Sequence, residues 1–123
     1  MRGRLVGPEG HSEEVELLVE TAATLLTLPK DLADRLRVVP TRQQPVVTAG
    51  GRREVWPVGE VRLELEGQQV TTPCFLAPGG PVLLGAVALE SLFLAVDPVA
   101  KKLVPVEGFV GAARSSLGGV LWA

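Results

Sequence analysis

Few of the 123 side chains are of types that do chemistry, and they are widely spaced. His11 is the only histidine and Cys74 the only cysteine. A metal centre needs several such ligands, or acidic residues at ligand spacing, and neither pattern is present. No metal and no cofactor are therefore expected. Cys74, between Pro73 and Phe75, has no base near it in sequence and reads as a small core residue rather than a nucleophile. His11 lies in a polar segment and reads as solvated. The 14 acidic residues remain, among them Glu20 in the run Leu18-Val19-Glu20-Thr21-Ala22-Ala23-Thr24. A carboxylate is a group able to hold or move a proton. The simpler alternative is a surface glutamate on an amphipathic helix.

The elements around Glu20 decide between these readings, and the local pattern leaves both open. Val15, Leu18, Ala22, Leu25 and Leu26 fall near a 3.6-residue period, and the stretch is rich in helix formers. The competing reading makes 15–20 a strand, 21–24 a turn and 25–28 a second strand. Pattern alone slightly favours the helix. After it, Pro29 suits a first helical position and Leu32, Ala33 and Leu36 share a face, which predicts a short helix over 29–37. Residues 40–45 read as a polar connection.

From Val46 onward the signals are those of strands. Residues 46–48 and 54–56 flank Ala49-Gly50-Gly51-Arg52, a hairpin with a glycine tip. Residues 58–66 alternate cleanly, with Val61, Leu63 and Leu65 opposite Glu60, Arg62, Glu64 and Glu66. Gly67-Gln68 turns the chain into a strand over 70–76. A loop over 77–81 leads to a short buried strand at Val82-Leu83-Leu84, and a second short helix follows Gly85. Residues 101–106 read as a last strand. Many short strands with Gly/Pro turns and two short helices predict a mainly β, barrel-like domain.

Composition narrows the function classes. Hydrophobic residues make up 46% and charged residues 21%, as expected of a folded domain. The formal net charge of -2 gives no basic face, so no nucleic-acid partner is expected. No apolar run approaches the roughly 20 residues that span a bilayer, and no signal peptide is visible. A cytoplasmic protein without a membrane partner is expected.

In order and spacing, the chain resembles the retropepsin-like aspartic proteases. In that family an apolar strand leads into Asp-Thr-Gly-Ala, then a polar residue and a second apolar strand. Here Leu18-Val19, Glu20-Thr21-Ala22-Ala23 and Thr24-Leu25-Leu26-Thr27-Leu28 correspond. Two apolar residues before a glycine that opens a short helix are a second mark, matched by Leu83-Leu84-Gly85. Between them Ala49, Gly50 and Gly51 stand where the family has a flap over bound peptide. The resemblance covers roughly 12–106 and implies a closed β-barrel of the acid-protease type, a single lobe per chain. It places 15–19 and 25–28 in strands. It also implies an N-terminal arm over 1–11, the retropepsin-like domain over 12–107 and a tail over 108–123.

The implied chemistry is peptide-bond hydrolysis by two carboxylates that share one proton around a water, because like charges that close cannot both ionise. One copy of the motif per chain implies a homodimer acting on a peptide or protein substrate, with Glu20 catalytic in each copy and Thr21 bracing the loop. Two residues depart from the family: Glu20 replaces Asp, and Ala22 replaces Gly. The extra methylene moves the carboxylate by about 1 Å, and misplacement of that order costs ~100-fold in rate. Ala22 narrows the backbone choices of the loop. Asp31 and Asp34 fall on the predicted helix and Asp97 near the end of the fold, so none replaces Glu20. A catalytically inactive retropepsin-fold module, kept for dimerisation or peptide binding, is the alternative.

Overall fold

In the computed structural model, which describes residues 1–111, two compact units are found, Met1–Leu92 and Phe93–Ala123. The first unit contains seven strands: β1 (Arg2–Val6), β2 (Ser12–Val19), β3 (Leu26–Pro29), β4 (Arg42–Val47), β5 (Arg53–Leu65), β6 (Gln68–Ala77) and β7 (Val82–Leu84). Two short helices join them, α1 (Lys30–Arg35) and α2 (Ala86–Ser91). Hydrogen-bonded neighbours run β1-β2-β7-β3-β6-β5-β4, and a further β1–β5 pairing closes the first six into a barrel. Strand β4 is left outside the ring as an edge.

Closure follows from which side chains must be buried. Leu5, Leu17, Leu26, Leu28, Leu63, Cys74, Leu76 and Leu84 are all buried, so every strand of the ring sends apolar side chains into the core. Each fully buried leucine contributes about 1.5–3 kcal/mol relative to exposure. The segment 1–11, expected as an arm, instead supplies β1: Leu5 pairs with Glu13 on one side and Leu63 on the other. Its two consecutive buried residues, Leu5 and Val6, were too short a signal against the flanking Gly7, Pro8 and Gly10.

The ambiguous stretch 12–19 is a strand. Burial there has a period of two: Val15 and Leu17 are buried, whereas Leu18 is 55% exposed. The 3.6-residue spacing that favours a helix was a coincidence of composition, outweighed by pairing to β1 and β7. Residues 42–45, expected as part of a connection, begin β4; Arg42 pairs with Val58 and Pro45 with Val55. Proline is tolerated there because β4 is an edge strand. Strand β5 runs unbroken from the hairpin through Pro57, rather than starting again at Val58.

The second unit, described by itself, carries the hairpin β8 (Leu94–Asp97) and β9 (Lys102–Pro105). Asp97 Oδ1 accepts from the Val99 and Ala100 backbone N–H groups and fixes the turn. Of the tail expected over 108–123, residues 112–123, Trp122 among them, lie outside the described residues.

Candidate active site

Strand β2 delivers Glu20 to a tight turn. Glu20 N–H donates to Leu84 O at 3.0 Å, which extends the parallel β2–β7 ladder one residue beyond the strand. Ala23 N–H then donates back to Glu20 O at 3.0 Å, which makes Thr21 and Ala22 the centre of a four-residue turn. The Glu20 carboxylate folds over this turn, and its Oε1 accepts from Ala22 N–H at 3.0 Å. Its Oε2 has no hydrogen-bond donor among the described residues, and the side chain is exposed.

Ala22 does not strain the turn. It is absent from the residues with positive φ, so the conformation here asks nothing of it that only glycine provides. Its methyl lines the cleft instead.

Below the turn, Gly85 is the point of closest approach. A Cβ there would lie 2.5 Å from Leu25 O and 2.6 Å from Ala23 O. The space is that tight because helix α2 begins against the loop: Ala86 N–H donates to Ala23 O and Val87 N–H to Thr24 O, both at 2.9 Å. The sequence marks around Glu20 and around Gly85 therefore form one substructure. Leu84 anchors the turn by its carbonyl and Leu83 faces the cleft.

The cleft has a volume of about 790 Å³. One wall is the Glu20 turn with Ala22, Ala23 and Thr24; the other is β4, with Arg42, Gln44 and Val46, continued by Thr48 and Ala49 of the hairpin. Trp56, Phe75 and Leu83 supply apolar surface between them. Trp56 is fixed by its edge-on contact with Phe75, ring centroids 6.0 Å apart, and by Nε1–H donating to Glu54 at 2.8 Å. That bond and the Arg52 guanidinium hold the Glu54 carboxyl below the usual range. Among the described residues, Glu20 and Arg42 are the only charged ones lining the cleft.

The hairpin tip closes through Thr48: its N–H donates to Arg52 O, its carbonyl accepts from Gly51 N–H, and its hydroxyl accepts from Arg52 N–H. Gly51 has φ +84°, a conformation glycine adopts freely, whereas Gly50 does not need one. Of the expected flap residues Ala49 lines the cleft, and Gly50 and Gly51 are exposed at the tip without lining it. Thr21 is exposed and also outside the lining.

The other candidates fall elsewhere. Asp31 and Asp34 pair with Arg35 and Lys30 along α1. Cys74 is fully buried, and burial pushes its thiol up to about 12. His11 is exposed. Sequence reasoning did not assign Arg42, Gln44, Trp56 and Phe75 to the site. The period-two run Gln44, Val46, Thr48 was the available signal, hidden by Pro45 between its first two members.

Comparison with known proteins agrees with this geometry. A family profile described as aspartyl protease matches residues 5–88. The EIAV protease, solved in complex with an inhibitor, superposes with a TM-score of 0.59 at 18% identity, covering 85% of this chain and 89% of its own. The foamy viral protease-reverse transcriptase, solved with an RNA/DNA hybrid, gives 0.56 at 14% identity, covering 89% of this chain and 13% of that one. The simian foamy virus (mac) protease gives 0.52 at 13% identity, covering 73% and 92%. A search of curated proteins found no match. With the profile spanning most of the barrel and the Glu20 turn, and the barrel itself shared with retroviral proteases, the chain belongs to the aspartyl protease family and has the retropepsin-like fold.

Proposed function

We propose that this protein is an endopeptidase that acts as a homodimer, with Glu20 of each copy contributing one carboxylate to a shared dyad. The observation that carries the reading is that Glu20 is the only acidic residue lining the cleft among the described residues. Two-carboxylate hydrolysis then requires a second copy, related by a two-fold axis beside the Glu20 turn. In such a pair one carboxyl holds the proton and supports the developing oxyanion, while its ionised partner takes a proton from the attacking water. The Ala22 N–H bond orients Oε1 and leaves Oε2 for that exchange. A substrate peptide in extended form has an unpaired partner in the outer edge of β4, and the hairpin tip at Ala49, Gly50 and Gly51 serves as its cover.

A second reading rests on the same hydrogen bond. A glutamate folded onto its own loop is also what a peptide-binding dimer without hydrolysis would retain. Incubation with a mixed peptide library from acidic to neutral pH, read by mass spectrometry, separates the two. For an active dyad, Glu20→Gln lowers cleavage by about 100-fold to 10,000-fold while the thermal midpoint stays unchanged. Cleavage that persists in Glu20→Gln removes Glu20 from the mechanism. An inert wild type with an active Glu20→Asp variant establishes the binding reading instead. Sedimentation of the same samples reports the dimer.

A further inference from the structure

We propose that the cleft selects peptides bearing a carboxylate, and that Arg42 is the residue that recognises it; this rests on the peptide-cleft reading above. Among the described residues, Arg42 is the only basic side chain lining a cleft otherwise dominated by Ala22, Leu25, Val46, Trp56 and Phe75. Most arginines of this unit are paired with a carboxylate, as Arg4 is with Glu64 and Arg35 with Glu13. Arg42 has no acidic partner among the described residues. Its Nη1–H donates instead to Gln44 Oε1 at 2.7 Å, two residues along the same face of β4. A neutral amide holds the guanidinium in place without compensating its charge.

The remaining N–H groups of the fork suit a planar carboxylate, which arginine binds in bidentate fashion. Position along the strand adds a direction. Arg42 opens β4 and Ala49 lies at the hairpin tip, about 20 Å away at ~3.3 Å per residue. The recognised group therefore lies toward the end of the bound peptide that is remote from the tip. Both an Asp or Glu side chain and a free C-terminal carboxylate have this chemistry.

The test uses fluorescently labelled short peptides and the full-length Glu20→Gln variant, so that binding is read without turnover. One series scans Glu, Gln and Lys through an otherwise constant apolar peptide; a second compares free-acid and amidated C-termini. The expected result is a preference of about threefold to tenfold for the carboxylate form at one position, weakening as salt is raised. A preference in the scan assigns a side chain, and one confined to the free acid assigns the terminus. Adding Arg42→Gln abolishes the preference, Arg42→Lys keeps part of it, and Arg42→Glu turns it toward Lys. Equal binding of acidic and neutral peptides, or a preference that survives Arg42→Gln, overturns the assignment and leaves the peptide-cleft reading intact. Failure of every peptide to bind overturns both.

Discussion

Replacing Gly85 by alanine tests the proposition that the Glu20 turn and helix α2 form one rigid unit. The backbone at Gly85 has φ -93° and ψ -178°, which any residue adopts, so the effect of the added methyl is steric alone. That methyl would stand 2.5 Å from Leu25 O, 2.6 Å from Ala23 O and 2.8 Å from Leu25 C. All three are backbone atoms, and no rotamer change relieves them. Overpacking of this kind costs about 1–3 kcal/mol. Moving the loop away also stretches the Ala86–Ala23 and Val87–Thr24 hydrogen bonds, now 2.9 Å each, at about 0.5–1.5 kcal/mol apiece. The combined loss is about 2–6 kcal/mol, a large part of the roughly 5–15 kcal/mol that holds a domain folded. With a urea slope of about 2 kcal/mol per molar, the unfolding midpoint falls by roughly 1–3 M. Variant and wild type are compared at equal protein concentration, because association would shift both midpoints. Gly50→Ala is the control, since its nearest neighbour is Thr48 Oγ1 at 4.0 Å. If Gly85→Ala and Gly50→Ala unfold together, the loop is not clamped by α2 and the reasoning fails.

Two further outcomes follow from the electrostatics. Cys74, with its thiol raised to about 12 by burial, is expected to resist disulfide reagents at neutral pH until denaturant is added; rapid labelling of native protein would contradict its placement in the barrel interior. The Arg35 guanidinium donates to both Glu13 oxygens and holds that carboxyl below its usual value. A depressed folded-state pKa contributes stability above the ordinary glutamate value near ~4.3, and that contribution is lost as pH falls through the lower folded value. Arg35→Ala should therefore lower the thermal midpoint at neutral pH and much less in strong acid, and an equal drop at both would refute the pairing.

The order of the marks was legible in the chain itself: Glu20-Thr21-Ala22-Ala23, then Gly50-Gly51, then Leu83-Leu84-Gly85. So was the alternation over 58–66, because period-two burial of Val61, Leu63 and Leu65 is written directly into residue type. Local pattern misjudged segments whose state depends on distant partners. Strand β2 has helical spacing and becomes a strand only because β1 and β7 flank it. Strand β1 is too short to announce itself, and β4 hides behind Pro45 because an edge strand needs fewer donors than a central one.

The site divides in the same way. Sequence alone singled out Glu20 through the order of the marks around it, and offered no metal-ligand pattern. Only the tertiary structure decided that Ala22 carries no backbone strain, that Gly85 holds the turn from beneath, and that Arg42 shares the cleft with Glu20. Those facts depend on groups tens of residues apart meeting within a few ångströms. Spacing along a chain does not encode such meetings; the closure of the barrel does.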